Sequence, residues 1–257
     1  MGDDMSNIQY SFLITSLAGL STMIGALLIF GRFKNSNKVI NSSLAFASGV
    51  MLTISITDLI PSSISGFLTY YYVIPSLIFT LIFVILGIIV SSLINKYIPD
   101  ISTTDIGEKQ LFKVGIITMF AIVLHNLPEG IATFITTTQD PYLGLSLALA
   151  ITMHNIPEGI SIAVPIYYST KSKLKSLMYT FVSCISEPIG AVIAYWFLAP
   201  YVNGFIMSII FALIAGIMLS ISIYELIPGS LKYGSFNNAL KYFLLGVAFM
   251  CICHFII

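Results

Sequence analysis

The sequence predicts an all-α integral membrane protein with eight transmembrane helices. Three observations support this fold class. Residues of the AVILMFWYC set make up 57% of the 257 residues and charged residues only 9%, whereas soluble domains contain about 25% charged residues. The apolar residues form eight runs that are each long enough to cross a bilayer as a helix. The basic residues fall only in alternate connections between these runs.

Each predicted span is a mostly apolar run that ends at a short polar or charged segment. In chain order, the eight spans cover approximately 8–31, 41–61, 72–94, 114–138, 142–168, 176–199, 204–228 and 239–257. The fifth span is long enough to tilt or kink in the bilayer. We expect the whole chain, residues 1–257, to form a single transmembrane domain.

The basic residues predict the orientation of the chain. All eleven lie after spans one, three, five or seven: Arg32, Lys34, Lys38, Lys96, Lys109, Lys113, Lys171, Lys173, Lys175, Lys232 and Lys241. The other connections (62–71, 139–141 and 200–203) and both ends of the chain contain none. Because Lys and Arg are retained on the cytoplasmic side, we expect a multi-pass protein of the plasma membrane with both termini outside.

The overall charge and the cysteines exclude several classes of function. Eleven basic residues balance eleven acidic residues, so nothing in the net charge indicates a nucleic acid partner. Cys184, Cys251 and Cys253 all lie in apolar runs and form neither a disulfide framework nor a pair of CxxC clusters. We expect them to be small packing residues.

A short repeat links spans four and five. The segment 124–131 (LHNLPEGI) recurs 29 residues later as 153–160 (MHNIPEGI). Because neighbouring spans run antiparallel, the two copies are expected to meet near the middle of the bilayer. A packing motif could also recur, but the joint recurrence of His, Asn, Pro, Glu and Gly in adjacent spans argues against packing as its only role.

A second repeat relates spans two and seven. Residues 49–63 (GVMLTISITDLIPSS) match 216–230 (GIMLSISIYELIPGS) at ten of fifteen positions. The two spans are an odd number of spans apart, so the second copy runs in the opposite direction across the membrane. Such inverted repeats are typical of transporters. The sequence therefore predicts an inverted repeat of helices 1–3 and 6–8 around a central pair, helices 4 and 5.

Five acidic residues lie within the apolar spans: Asp58, Glu129, Glu158, Glu187 and Glu225. An ionised side chain at the bilayer centre costs roughly 2.5–3.5 kcal/mol on insertion scales. No Lys or Arg lies near the middle of any span to neutralise these carboxylates. They are therefore either protonated or next to a cation that is not part of the chain.

Two histidines occupy the same short repeat as two of these carboxylates. Residues four apart share one face of a helix, so His125 with Glu129, and His154 with Glu158, each present an imidazole and a carboxylate to one point. Neutral imidazole nitrogen with carboxylate oxygen suits zinc and other first-row divalent ions, whereas calcium and magnesium favour oxygen alone. The repeat therefore predicts a transition-metal site.

The prolines of the repeat are expected to open the two helices at this site. Pro128 and Pro157 have no amide hydrogen, so the carbonyls of Leu124 and Met153 lose their helical partners and are expected to face a cavity. His254 belongs to neither repeat and is expected to be incidental.

The segments HNLPEG and HNIPEG resemble the paired metal-binding motifs of the ZIP (Zrt/Irt-like protein) transporters, and most of all the bacterial ZupT type of that family. The segment SEPIGA around Glu187, the eight spans and the outside termini are also similar, so the resemblance covers essentially the whole chain. It implies a transporter and not an enzyme. The transported ion would be Zn²⁺, with Fe²⁺, Mn²⁺, Co²⁺ and Cd²⁺ as further candidates.

The resemblance also implies a binuclear metal centre. One ion would be held by two imidazoles and two carboxylates, those of His125, Glu129, His154 and Glu158. A second ion would share these two carboxylates and add two amides and a third carboxylate, those of Asn126, Asn155 and Glu187. Asp58 and Glu225 would line the transport pathway, near the outer end of span two and the inner end of span seven.

The chain departs from the family pattern in two places. Asp58 stands where ZupT-like chains are expected to have Glu, so its carboxylate reaches less far. The loop 95–113 contains no histidine, although many family members carry a His-rich stretch there. We therefore expect no metal sensor in this loop.

The expected mechanism is uptake from outside to the cytoplasm, by rocking of the two repeats against the span four and five unit. Two other classes stay open. A proton-coupled carrier of an organic solute could use buried Glu and His as a relay. An intramembrane metallohydrolase could use similar ligands, although the HExxH motif is absent. The sequence also leaves open whether the chain forms a homodimer in the lipid bilayer.

Overall fold

The computed structural model describes residues 2–31, 35–97, 106–198 and 203–256. Within these ranges the chain is helical and contains no strand. Eight spans are long and apolar enough to cross a membrane: Asn7–Phe30, Ser36–Leu68, Val73–Leu93, Gly107–Gln139, Pro141–Thr170, Lys173–Phe197, Gly204–Tyr233 and Phe236–His254. The predicted all-α membrane fold with eight spans is confirmed.

Five spans consist of one main α-helix: Gly2–Ala26, Val73–Tyr97, Ile106–Gln139, Pro141–Thr170 and Phe236–Ile256. The first of these continues into a short 3-10 turn, Leu27–Phe30. Five helices begin after a polar residue whose side chain accepts a hydrogen bond from an amide of the first turn. These residues are Asn35, Asp140, Ser172, Asn203 and, before span eight, Ser235. Local capping therefore sets where several spans begin.

Spans two, six and seven are each interrupted. Span two comprises Ser36–Ile54, a π-helical turn at Ser55–Leu59, and Ile60–Leu68. Span seven comprises Gly204–Ile221, a π-helical turn at Ser222–Leu226, and Ile227–Tyr233. Span six comprises Lys173–Cys184, Ser186–Ile193 and a π-helical turn at Ala194–Leu198. The turns in spans two and seven occupy equivalent positions of the second repeat, residues 49–63 and 216–230. The two copies of this repeat therefore share the same irregular backbone.

Four predicted boundaries were wrong by more than a helical turn: both ends of span two, the start of span four and the end of span seven. Span two continues to Leu68 instead of ending at 61, because Pro61 lies in the first turn of a new helical segment, where its missing amide hydrogen costs little. The helix of span four begins at Ile106 instead of 114. Of the basic residues used for orientation, Arg32 and Lys34 lie outside the described residues, as do residues 98–105 of the loop 95–113.

The spans pack as two groups of four. Spans one, four, five and six contact one another and form what we call the first bundle. Spans two, three, seven and eight form the second bundle, in which span two packs on span eight and span three on span seven. The central pair of spans four and five therefore lies inside one bundle with spans one and six, while the other four spans form the second bundle beside it.

Glycine pairs bring the crossing helices of the first bundle into close contact. Spans one and five meet at Gly25 and Gly159, and spans four and six meet at Gly130 and Gly190. A Cβ atom added to any of these glycines would overlap a backbone carbonyl oxygen of the facing helix. Small residues that allow such close approach are typical of membrane helix interfaces.

The second bundle repeats this arrangement. Spans two and eight meet at Gly49 and Gly246, and spans three and seven meet at Gly87 and Gly216, again with a facing carbonyl oxygen where each Cβ would be. An inverted repeat exchanges span one with six, two with seven, three with eight, and four with five. This exchange relates the crossing of spans one and five to that of spans four and six, and the crossing of spans two and eight to that of spans three and seven. The packing therefore follows the inverted symmetry predicted from the sequence.

The main apolar core joins the two bundles. Ile117 and Ile122 of span four and Ile162 of span five pack in one buried cluster with Leu44 and Met51 of span two. All five side chains are nearly fully buried. They lie in the halves of their spans that are nearer the connections with the Lys and Arg residues, which we call the basic connections. This apolar core therefore separates the middle of spans four and five from the side of the protein on which the basic connections lie.

Candidate metal centre

The short repeat brings its histidines and glutamates together in the interior of the first bundle. His125 and Glu129 lie on span four, and His154 and Glu158 lie on span five. All four side chains are buried, with at most 6% of each residue exposed. Both helices continue through Pro128 and Pro157, and whether the carbonyls of residues 124 and 153 face a cavity stays a prediction.

The ligand atoms of these four residues lie at contact distance. Nε2 of His125 is 3.1 Å from Oε1 of Glu129 and 3.4 Å from Oε1 of Glu158. Nε2 of His154 is 3.0 Å from the same Oε1 of Glu129. Atoms of His125, Glu129 and His154 all lie within 4.8 Å of one another, as the ligands of a single metal ion would. Two antiparallel helices therefore present nitrogen and oxygen atoms to one small volume.

The two asparagines and the third glutamate lie beside this cluster. Nδ2 of Asn155 donates to Oε1 of Glu187 at 2.5 Å and to the carbonyl oxygen of Ala18 at 2.9 Å. With its amide nitrogen as the donor, Asn126 reaches Oε2 of Glu158 at 3.3 Å. Both asparagines and Glu187 are fully buried. All seven residues predicted for the binuclear centre therefore lie in the buried polar interior of one bundle.

Close helix packing positions Glu187 within this interior. The backbone of Glu187 lies directly against Gly130 of span four, and Gly190 of span six lies against the backbone of Leu127. On the other side, a Cβ atom on Gly19 of span one would lie 3.1 Å from Cβ of Glu187. Span six can therefore bring a carboxylate next to spans four and five only because these positions are glycine.

Several buried oxygen atoms of the centre have no hydrogen-bond partner among the described residues. They are Oε2 of Glu129, Oε1 of Glu158, Oε2 of Glu187 and Oδ1 of Asn155. Buried polar atoms in folded proteins are nearly always paired, so unpaired oxygens that cluster together need an explanation. Each of them has a lone pair that can coordinate a cation. The donor set, with two imidazoles, suits a transition metal better than calcium or magnesium.

The two predicted pathway residues lie in the second bundle, each in one of the equivalent π-helical turns. Asp58 lies in the turn of span two, and Glu225 in that of span seven. π-helical turns inside α-helices are frequent at functional sites. The turns therefore mark both positions as structurally special, although the sequence alone predicted only an acidic residue within a span.

His254, which the sequence leaves outside both repeats, lies beside one of the predicted pathway residues. Its Nδ1 lies 3.0 Å from Oδ1 of Asp58, and both side chains are partly exposed. Span eight packs along span two, which returns the end of span eight to the level of Asp58. The available sequence signal was that His254 and Asp58 lie toward the same predicted side of the membrane.

Comparison with known proteins agrees with this geometry. Residues 102–254, more than half of the chain, match the family described as ZIP zinc transporter. The chain belongs to the ZIP family. The resemblance inferred from the two HNxPEG motifs is therefore confirmed.

Full-length relatives of the ZIP family extend the match over nearly the whole chain. The zinc transporter ZupT of Clostridium perfringens is 36% identical over 98% of this chain and 97% of its own length. The zinc transporter ZupT of Oceanobacillus iheyensis is 37% identical over 96% of this chain and 98% of its own length. That of Streptococcus mutans is 37% identical over 94% and 95%. Since these relatives are named transporters, the comparisons favour a transporter over a hydrolase.

Proposed function

We propose that this protein is a zinc uptake transporter that binds its substrate at the buried centre of the first bundle. The observation that carries the proposal is the convergence of two imidazole and carboxylate pairs, with unpaired oxygens, inside a membrane-spanning bundle. Zinc is the ion named for the ZupT relatives. Fe²⁺, Mn²⁺, Co²⁺ and Cd²⁺ are the competing ions to test, since they accept similar ligands.

The distances within the cluster support a zinc ion at the first position. Ligand atoms about 2.0–2.1 Å from a tetrahedral zinc ion are separated from one another by roughly 3.3 Å. The measured separations between His nitrogens and Glu oxygens are 3.0–3.4 Å. His125, Glu129 and His154 could therefore hold one ion with only small movements of their side chains, and Glu158, whose Oε1 approaches Nε2 of His125, would complete the set by turning toward it.

A second ion would bind beside the first and share its carboxylates. Oδ1 of Asn155 and Oε2 of Glu187 are buried oxygens without a hydrogen-bond partner in the described chain. Asn126 contacts Glu158 from the other side. If Glu129 and Glu158 bridge the two positions, a second ion or a proton weakens the hold on the first ion. Release from a tightly coordinating site requires such competition.

Delivery to the cytoplasm requires the apolar core between the bundles to open. This core lies between the centre and the side of the basic connections, which we propose to be cytoplasmic, with both termini outside. The packing favours movement of the whole first bundle, which carries the site, against the second. The division expected from the sequence, with spans four and five moving alone, would have to break the glycine contacts of spans one and six.

In this direction of transport, Asp58 would meet the ion before the centre and Glu225 after it. Asp58 lies toward the predicted outer end of span two, where it contacts His254. Glu225 lies toward the opposite end of span seven. We further propose that residues 1–257 form one transport domain. The homodimer stays a prediction, which native mass spectrometry of the purified protein tests.

Zinc uptake into proteoliposomes tests the proposed function. We expect Glu129→Ala and Glu158→Ala to reduce uptake to background, because each removes a ligand shared by both positions. Asp140→Asn is the matched control, since Asp140 caps span five through backbone amides and asparagine is an equally good cap. Uptake at the wild-type rate in both glutamate variants would overturn the proposal. Transport of an organic solute that survives metal chelation would favour the proton-coupled carrier instead.

A further inference from the structure

A groove of about 820 Å³ opens along the seam between the two bundles. Spans two and eight of the second bundle form most of its wall. The first bundle contributes Leu28 of span one and Ile160 of span five. The groove therefore lies where the bundles would have to move against each other, and it is separate from the metal centre.

The lining of the groove changes in polarity along its length. Asn35, Lys38 and Ser42, from the first turns of span two, line one end, together with Tyr242 from the first turns of span eight. Both of these spans begin on the side of the basic connections. Further along the same two spans the lining is apolar, with Phe46, Leu245, Phe249 and Ile252 as its larger side chains.

The polar end of the groove is also cationic. Lys38 is exposed there. Nζ of Lys241 lies 5.9 Å from the centre of the Tyr242 ring, which itself lines the groove. Nζ of Lys173 lies 4.6 Å from the centre of the Phe30 ring, two residues beyond Leu28. Lysines near the membrane surface attract anionic lipid headgroups.

We propose that this groove binds one anionic phospholipid from the leaflet that faces the basic connections. The phosphate lies against Lys38, and an acyl chain follows the apolar wall formed by spans two and eight. The order of the lining, cationic first and then apolar, matches the order of the groups in a phospholipid. It does not match a polar solute, which would leave most of the wall without a partner.

A lipid in this position contacts both bundles. Ile160 comes two residues after the predicted ligand Glu158, so an acyl chain that reaches Ile160 lies close to the level of the metal centre. Separation of the bundles would expose this chain or displace it. The lipid would therefore favour the closely packed arrangement and make transport depend on the anionic lipid content. The binding itself does not depend on the identity of the transported ion.

Native mass spectrometry of the purified full-length chain tests the proposal. The probes are phosphatidylglycerol, phosphatidylcholine with the same acyl chains, and glycerophosphoglycerol, which has the headgroup alone. The variants are Lys38→Ala, its milder form Lys38→Gln, and Ala248→Trp, which fills the groove from an exposed position of span eight. Lys175→Ala is the matched control, because Lys175 is exposed on the same side of the protein but does not line the groove.

We expect one phosphatidylglycerol per chain, bound more tightly than phosphatidylcholine. Both Lys38 variants should weaken phosphatidylglycerol binding about fivefold and leave phosphatidylcholine binding unchanged. Ala248→Trp should abolish binding of both lipids, and Lys175→Ala should behave as the wild type. Three results would overturn the proposal: equal binding of the two lipids, glycerophosphoglycerol binding as tight as that of the lipid, or dissociation of a dimer by Ala248→Trp without loss of lipid.

Discussion

The two bundles are built by the same packing device but bury different chemistry. Each contains two helix crossings at which facing glycines bring backbones into contact, and the inverted symmetry relates the crossings within each bundle. The interior of the first bundle contains Glu129, Glu158 and Glu187. The second bundle instead contributes buried apolar side chains such as Met51 and Met218 to the core that it shares with the first. The scaffold is therefore shared, and the polar residues of one bundle determine where an ion can bind.

This difference indicates that stability and function are separable in this protein. Buried carboxylates are costly in a membrane, and the first bundle keeps a group of them whose basic neighbours, among the described residues, are the imidazoles of His125 and His154. The second bundle supplies a similar scaffold with its acidic residues, Asp58 and Glu225, in π-helical turns nearer to its two ends. If this view is correct, neutralising the central carboxylates should remove metal binding while the fold remains intact.

The largest expected effect is therefore on zinc binding by the charge-neutral variants Glu129→Gln and Glu158→Gln. Both keep the side-chain volume but lose the negative charge. At free zinc one hundred times its Kd, binding stabilises the wild-type fold by about 2.7 kcal/mol. We expect both variants to lose this stabilisation and, without metal, to unfold at or above the wild-type temperature. Thermal unfolding in detergent, with and without zinc, measures both effects.

Glu225→Gln in the second bundle is the contrasting variant. It lies outside the central cluster, so the zinc-dependent rise in unfolding temperature should persist. Two results would contradict a site in the first bundle. One is loss of the zinc-dependent rise in unfolding temperature in Glu225→Gln, and the other is retention of that rise in both Glu129→Gln and Glu158→Gln.

The next effect concerns the scaffold. Gly159→Ala in the first bundle places a methyl group against the carbonyl oxygen of Thr22, and Gly216→Ala in the second places one against that of Val84. We expect each variant to lose about 1–3 kcal/mol of stability, because a backbone carbonyl cannot turn away as a side chain can. Only Gly159→Ala should also weaken zinc binding, since it moves span five next to the predicted ligand Glu158. Calorimetry of zinc binding separates the two variants.

Gly204→Ala is the control for these packing variants. A Cβ atom there would have its nearest neighbour at 3.6 Å, an ordinary contact with Tyr70. Its unfolding temperature should match that of the wild type. Equal loss of zinc affinity in Gly159→Ala and Gly216→Ala would mean that the bundles do not act as separate units.

Local patterns were sufficient to predict the number of spans and the grouping of the His and Glu residues of the short repeat, whereas Asn126, Asn155 and Glu187 were assigned only through the family resemblance. Span number follows from the length of apolar runs, which the bilayer thickness fixes. The spacing of four between His125 and Glu129, and between His154 and Glu158, fixes a shared helix face. These rules involve only neighbours in sequence, so they hold without knowledge of the packing.

The arrangement of the spans could not be predicted in the same way. Which glycines face each other depends on helix crossings between residues far apart in sequence, such as Gly25 and Gly159. The π-helical turns of spans two and seven were not predicted, since Pro61 alone suggested only a helix end. The contact of His254 with Asp58 depends on span eight packing along span two. These features are tertiary, and no local pattern specifies them.

The smallest expected effect concerns the contact of His254 with Asp58, which would concentrate cations at the predicted outer end of the second bundle. The side chains of His254 and Asp58 are 57% and 36% exposed, so an ion there is held in high dielectric. We expect His254→Ala and Asp58→Asn each to raise the KM for zinc uptake about two- to fivefold with kcat unchanged. Because both substitutions remove the same contact, the KM of the double variant should be no higher than that of the more impaired single variant. Asp140→Asn, another acidic position toward the predicted outer side, should leave KM unchanged. A fall in kcat without a change in KM would place the pair in the moving parts of the protein instead of the outer mouth.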